Sequence, residues 1–132
     1  MNGSLLLDAS SLINLLKQGK LHLLKDSYIQ WLTIYEALNA VWKESILLKN
    51  IGLNEARRLV EALVKAVSLA EILAPHPYRE IFETAARDGI TCYDASYIVL
   101  ARKHNLTLVT EDKKLAKTAQ KYVKTASITS LT

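Results

Sequence analysis

Short apolar runs alternate with segments of helical periodicity along most of this chain, and the alternation limits the folds available to it. Apolar side chains at three- and four-residue spacing predict helices at residues 10–17, 33–49, 54–68, 78–87, 91–104 and 112–121. Gly52 breaks the pattern after the second of these helices, and Asn54 is predicted to cap the next. The runs between the helices predict strands at residues 4–7, 28–32, 71–74, 106–110 and 123–128. Strands that alternate with helices are typical of an α/β sandwich around a mostly parallel sheet.

The size and composition of the chain fit one domain. Its 132 residues are half hydrophobic, which predicts a single compact domain over residues 1–132. With only four glycines and two prolines, no stretch has the composition of a linker. The formal net charge of +4 is compatible with a phosphate-bearing partner but does not require one.

Cys92 is the single cysteine, which excludes an internal disulfide and a zinc site built from several cysteines. A reducing cytoplasm is therefore the expected location. The first ten residues, MNGSLLLDAS, lack the basic leader and long apolar core of a signal peptide. The sequence has no uncharged apolar run of about 18 residues, so we expect no membrane span.

Four acidic residues lie at strand ends or in the first turns of predicted helices. Asp8 follows the first strand, Glu36 lies early in the helix after the second, and Asp94 and Asp112 open the last two long helices. Helix capping explains each of them taken alone. Thr33-Ile-Tyr-Glu36 matches a capping box, in which Thr33 caps the helix and Glu36 bonds back to the Thr33 amide. Asp94 has the same spacing from an earlier threonine, and aspartate is itself a good cap.

The four acids have a second explanation when they are taken together. In a parallel sheet the strand-to-helix junctions share one edge, where such sheets carry their sites, so Asp8, Glu36 and Asp112 are expected to converge. Asp94 joins them if its helix starts at the same edge. Clustered carboxylates repel one another and require a cation or protons. Oxygen ligands suit Mg²⁺ or Mn²⁺. The three histidines lie in loop-like segments or near a helix end and are not expected to take part.

Three segments resemble, in their order, a PIN domain, and most closely the small toxins of VapBC-type toxin–antitoxin pairs. They are LLLDASSLINLL, WLTIYEALNAVWK and YDASYIVLARKHNLTLVTEDKKLAKTA. The resemblance extends from residue 4 to the last predicted strand. It implies a PIN-like three-layer α/β/α sandwich with a central, mostly parallel sheet of about five strands.

The resemblance also implies which residues form the site. The family's four catalytic and metal-binding acids match Asp8, Glu36, Asp94 and Asp112. Its two hydroxyl residues, which orient carboxylates or water, match Ser10 and Thr110. Glu111 takes the variable middle position of a Thr-x-Asp motif and is expected to face solvent.

PIN domains are metal-dependent ribonucleases, so the resemblance implies an endoribonuclease that hydrolyses RNA with one or two Mg²⁺ or Mn²⁺ ions. Basic residues outside an acidic pocket have to hold the flanking phosphates, and the candidates are Lys113, Lys114 and Arg102. Each of them also fits an ordinary solvated helix face. The resemblance implies two kinds of partner. One is an antitoxin that binds the long helices, and the other is a second copy of the chain in a homodimer.

Three other functions remain open from the sequence. The same nuclease can act in RNA processing or decay without an antitoxin. A catalytically silent module can keep the fold and bind RNA or protein, although retention of all four acids speaks against it. A receiver domain or aspartyl-phosphate enzyme that uses Asp8 fits less well, because no adjacent acid pair accompanies the first strand.

Overall fold

The computed structural model describes residues 4–131, and its centre is one sheet of five parallel strands. The strands are β1 (Leu5–Leu7), β2 (Ser27–Gln30), β3 (Glu71–Leu73), β4 (Thr107–Val109) and β5 (Thr125–Ala126). Their order across the sheet is β3-β2-β1-β4-β5, and every neighbouring pair is parallel. The predicted α/β fold with a five-stranded parallel sheet is confirmed.

Six α-helices cover the two faces of this sheet. They are α1 (Ala9–Gln18), α2 (Trp31–Trp42), α3 (Leu53–Leu69), α4 (Tyr78–Asp88), α5 (Cys92–Lys103) and α6 (Lys113–Ala119). A 3₁₀ helix, Leu21–Asp26, precedes β2, and a π-helical turn, Lys43–Leu47, follows α2. No helix within residues 4–131 is long and apolar enough to cross a membrane.

The central strand β1 shows how the two faces are filled. Successive side chains of a strand point to opposite faces. Leu5 and Leu7 pack in one buried cluster with side chains from α1 and α3. Leu6 packs in a second cluster with side chains from α5 and α6. Two cores on opposite faces of one sheet give the three-layer arrangement.

Two helix starts differ from the predicted ones. Trp31 and Leu32 belong to α2 and not to β2, because Gln30 has extended backbone angles and acts as the N-cap. The Thr33 hydroxyl accepts a hydrogen bond from the Gln30 amide at 3.2 Å, so Thr33 lies in the first helical turn. The predicted capping box between Thr33 and Glu36 is therefore wrong. The prediction extended the strand to residue 32 because aromatic and branched side chains are common in strands.

The cap of α3 was also predicted wrongly. Gly52 is the N-cap, and Asn54 already lies within the helix. The predicted helix at residues 33–49 is regular only as far as Trp42 before the π-helical turn begins. These differences leave the order of the elements unchanged.

The topology brings several segments to one edge of the sheet. β1, β2 and β4 all end there, and their next residues lead into α1, α2 and α6. α5 also starts at this edge. Its last residue leads into β4, which begins at the opposite edge of the sheet, so the first residue of α5 lies at the edge where the strands end. The fold therefore brings together the helix starts that carry the predicted acids.

Candidate active site

Asp8 is at once the N-cap of α1 and a buried carboxylate. One of its oxygens, Oδ1, accepts hydrogen bonds from the Ser11 amide at 2.9 Å and the Ser10 hydroxyl at 2.8 Å. The other, Oδ2, accepts one from the Thr110 hydroxyl. Burial raises the pKa of Asp8, and these hydrogen bonds partly offset the rise because they stabilise the ionised form. Asp8 therefore caps α1 and also keeps its carboxylate at the sheet edge where the acids were predicted to meet.

Ser10 and Thr110 join the ends of two adjacent strands around Asp8. The Asp8 amide donates to the Val109 carbonyl at 3.2 Å, which sets the end of β1 beside the end of β4. The Thr110 hydroxyl also accepts the Asp112 amide at 3.0 Å, and the Ser10 hydroxyl accepts the Glu111 amide at 3.0 Å. Both hydroxyls touch the Asp8 carboxylate, where an orienting group has to lie.

Glu36 lies inside α2, and a tyrosine holds its carboxylate. The Tyr97 hydroxyl donates to Oε1 of Glu36 at 2.8 Å. Burial raises the pKa of Glu36, and the negative charges of Asp8 and Asp94 raise it further, against the opposing effect of the tyrosine. Two acids that are far from Glu36 in the sequence therefore lie near enough to it in the fold to raise its pKa.

Asp94 is the third residue of α5, after the N-cap Thr91. Its backbone amide donates to the Thr91 hydroxyl at 3.1 Å, but no hydrogen bond within residues 4–131 reaches its carboxylate. Burial raises the pKa of Asp94, followed by the charges of Asp112 and Asp8. The Asp94 carboxylate is thus not used for capping and faces the other acids.

Asp112 is the N-cap of α6 and is exposed. Its Oδ1 accepts the amides of Lys114 at 2.9 Å and Leu115 at 3.2 Å. These two hydrogen bonds hold the Oδ1 oxygen at the start of the helix and leave Oδ2 outside the cap. Its charge nevertheless raises the pKa of Asp94, so it belongs to the same electrostatic group.

Mutual repulsion links all four predicted acids at one sheet edge, but they stand in an open arrangement. Within residues 4–131, no group of three or more His, Cys, Asp or Glu side chains has the mutual distances needed to coordinate one metal ion directly. An open, oxygen-only set is compatible with Mg²⁺, which usually keeps several waters and binds through one or two carboxylates. The raised pKa values give a cation a favourable role, because positive charge relieves the repulsion among the carboxylates.

Glu111 does not face solvent as expected. Its Oε1 accepts the Asn14 side-chain amide at 3.1 Å, and its Oε2 accepts the Ile128 backbone amide at 2.9 Å. The half-buried carboxylate thus connects α1 to the segment after β5. Glu111 is a structural connection beside the acidic group, and the solvent-facing expectation was wrong.

The structure separates the three basic residues that were predicted to contact phosphate. Lys113 lines a groove of about 400 Å³ together with Asp112 and Thr110. Lys114 is exposed in the first turn of α6. Arg102 lies at the far end of α5, away from the acids, where it pairs with Glu80 at 3.3 Å. Of the three residues, Lys113 and Lys114 lie near the acidic edge at the start of α6, and Lys113 lines the groove.

Sequence analysis missed a set of buried polar residues behind Glu36. Tyr97 lies in the predicted helix at residues 91–104, where helical spacing gives it no polar role, yet its hydroxyl contacts both Glu36 and Thr33 at 2.8 Å. Burial raises the pKa of Tyr97, so its hydroxyl stays protonated and remains a donor. Next to them, the Gln30 side-chain amide donates to the Ser96 hydroxyl at 2.8 Å. The available signal was that a buried tyrosine hydroxyl normally has a hydrogen-bond partner.

The protein is thus an α/β domain with an acidic site at the carboxyl ends of its parallel strands. Four carboxylates lie at that edge, and hydroxyl groups lie behind them. A family model described as PIN domain matches residues 5–121. The chain belongs to the PIN domain family.

Two curated relatives and two solved structures are similar to this chain. It is 39% identical over 84 residues to Exonuclease VapC9 and 36% identical over 93 residues to Ribonuclease VapC3, both from Pyrobaculum aerophilum. These matches cover 64% of this chain but only 60% and 65% of the relatives' own lengths. PAE2754 from the same organism superposes with a TM-score of 0.82 at 33% identity, covering 99% of this chain and 95% of that one. DNA-bound VapBC from Salmonella typhimurium gives a TM-score of 0.68 at 16% identity, covering 95% and 98%, and shows the fold alone.

Proposed function

We propose that this protein is a metal-dependent ribonuclease that hydrolyses phosphodiester bonds in RNA. The observation that carries the proposal is the raised pKa values of Asp8, Glu36 and Asp94, which burial causes in all three and the charges of the other acids increase in Glu36 and Asp94. Burying carboxylates near one another costs stability, and carboxylates with raised pKa values at the carboxyl edge of a parallel sheet are typical of functional sites. The names of the two curated relatives, an exonuclease and a ribonuclease, support the same activity.

Asp8, Glu36, Asp94 and Asp112 would hold one or two Mg²⁺ or Mn²⁺ ions. When bound, the metal supplies positive charge against the phosphate and makes a nearby water more acidic. Each acid is presented differently: Asp8 is fixed by hydroxyls, Asp112 by its own helix, and Glu36 by a tyrosine. Asp94 offers a carboxylate that is not engaged in any hydrogen bond within residues 4–131.

The groove beside Asp112 gives RNA a route along the site. Its volume is about 400 Å³, and Lys113 lines it with Thr110 and Asp112. A lysine there can contact a phosphate next to the one that is cleaved. Lys114 in the same helical turn can contact the next phosphate outward.

We also propose that the protein is the toxin of a type II toxin–antitoxin pair. Structures similar in fold include the complexes FitAB bound to a DNA fragment and a toxin–antitoxin complex from Klebsiella pneumoniae. On α2 the exposed side chains Trp31, Tyr35, Leu38 and Trp42 recur at helical spacing and form an apolar stripe, here called the α2 stripe. A cavity of about 460 Å³ between α2 and α3 continues it. Exposed apolar surface of this kind is typical of a protein–protein contact.

Cleavage of structured RNAs in Mg²⁺ or Mn²⁺ tests the activity. Asp8→Asn and Asp94→Asn should each lower the rate by more than about 100-fold, beyond the 10- to 100-fold typical of losing a group behind a ligand. Asp26→Asn is the matched control, since Asp26 is an exposed aspartate in the 3₁₀ helix. Equal cutting by all variants and wild type would falsify the assignment. A circular RNA substrate separates endonuclease from exonuclease action, because only an endonuclease opens a circle.

A further inference from the structure

We infer that Tyr97 is a positioning residue that holds Glu36 so that a single carboxylate oxygen is presented to the bound cation. The inference rests on the proposed metal-dependent function and concerns a residue behind the four acids. The Tyr97 hydroxyl lies between two partners on α2, at 2.8 Å from the Thr33 hydroxyl and 2.8 Å from Oε1 of Glu36. Tyr97 itself is 1% exposed and its contact with Thr33 is buried, whereas its contact with Glu36 is half-buried.

The donor and acceptor chemistry gives this chain of bonds one direction. A carboxylate only accepts hydrogen bonds, so the Tyr97 hydroxyl must give its one hydrogen to Glu36. The hydrogen between Thr33 and Tyr97 then comes from Thr33. The Thr33 oxygen in turn accepts the Gln30 amide at 3.2 Å. The chain runs from a backbone amide at the end of β2 through two hydroxyls to Oε1 of Glu36.

This chain of bonds sets which oxygen of Glu36 is available. Oε1 is occupied by the tyrosine, and within residues 4–131 Tyr97 is the only side chain that donates to the Glu36 carboxylate. Oε2 therefore remains for a cation or for a water that the cation holds. The tyrosine also fixes the side-chain torsions of Glu36, whose loose carboxylate would otherwise sample several rotamers.

The same contact coordinates two elements of the site. Tyr97 lies one helical turn after Asp94 on α5, while Glu36 belongs to α2. The bond from Gln30, the last residue of β2 and the N-cap of α2, to Ser96 ties the start of α2 to α5 as well. The helix that carries one acid, Asp94, thereby orients another acid, Glu36.

Mn²⁺ binding to the metal-free, full-length protein without RNA provides the test, with electron paramagnetic resonance as the readout. Tyr97→Phe fills nearly the same volume and removes only the hydroxyl. It should weaken Mn²⁺ binding by about 10- to 100-fold, the usual effect of losing a group behind a metal ligand. Thr33→Val should act in the same direction with a smaller effect. Tyr93→Phe is the control, because Tyr93 lies on the same helix and its side chain is 62% exposed.

RNA kinetics and unfolding complete the experiment. Tyr97→Phe should lower kcat and leave KM for RNA nearly unchanged, since the tyrosine is buried away from any substrate. In metal-free unfolding, the combination with Glu36→Ala should shift the midpoint by less than the sum of the single changes, because both remove the same bond. A folded Tyr97→Phe variant that binds Mn²⁺ like wild type overturns the positioning role, even if wild type cleaves RNA. If wild type does not cleave RNA but Tyr97→Phe still weakens Mn²⁺ binding, only the proposed function fails.

Discussion

The hydroxyl of Thr110, one residue beyond β4, donates a hydrogen bond to the carboxylate of Asp8, one residue beyond β1. The same oxygen accepts the Asp112 amide, so one side chain fixes two of the four acids. Thr110→Val keeps the shape of the side chain but removes both hydrogen bonds. Thr110 is 3% exposed, so water cannot replace them. We expect a loss of about 1–3 kcal/mol in the free energy of unfolding and a 10- to 100-fold loss in Mn²⁺ affinity.

Thr110→Ser is the control for that change, because serine keeps the hydroxyl and loses only a methyl group. Urea unfolding and Mn²⁺ titration measure the two effects. Valine and serine variants with the same metal affinity would show that the hydroxyl does not orient Asp8 for the metal.

Metal should stabilise the protein through Asp94. A ligand that binds only the folded state stabilises it by about 2.7 kcal/mol at 100 times its Kd. Wild type should therefore melt at a higher temperature in Mg²⁺ or Mn²⁺, as seen by calorimetry. Asp94→Asn should lose most of this response, whereas Asp26→Asn should keep it. An undiminished response in Asp94→Asn would remove Asp94 from the metal site.

Glu111 should matter for stability and not for chemistry. Its two oxygens accept from Asn14 and from the Ile128 amide, and glutamine would turn an NH₂ group toward one of these donors. Glu111→Gln should cost about 1–3 kcal/mol in urea unfolding. Glu83→Gln on exposed α4 should change the free energy of unfolding by less than about 0.5 kcal/mol. A Glu111→Gln variant as stable as wild type would mean that the two contacts contribute nothing net.

The fold was predictable because its signals are periodic and local. Apolar runs and helical spacing gave the order of strands and helices, and parallel topology then followed from their alternation. The boundary at Trp31 was missed, since an aromatic residue after a strand resembles more strand. What decides it is the bond between the Gln30 amide and the Thr33 hydroxyl, which exists only once the helix has formed.

The acids were predictable for a related reason, and the groups behind them were not. Acids at strand ends can be read directly from the chain, and topology then brings them together. Tyr97 contacts Glu36 across 61 positions, and Glu111 contacts the Ile128 amide across 17. Such partners depend on how helices pack, and neither helical spacing nor capping patterns encode them.

The stability advantage of Asp94→Asn without metal should depend on pH in a defined direction. Burial and the charges of Asp112 and Asp8 raise the pKa of Asp94 in the folded protein above its ordinary value of 3.8. The folded state then binds the proton more tightly than the unfolded state, so wild type loses stability as pH rises through the raised pKa. Asparagine carries no charge at any pH. Asp94→Asn should therefore be more stable than wild type at pH 7, with the difference shrinking as pH falls toward 3.8.

Comparing the two proteins cancels the pH dependence that Asp88 contributes to both of them, since its pKa is lowered mainly by the Tyr122 hydrogen bond. Urea unfolding in a metal chelator from pH 4 to 8 measures the difference, and an advantage that grows toward low pH would contradict the repulsion among the carboxylates.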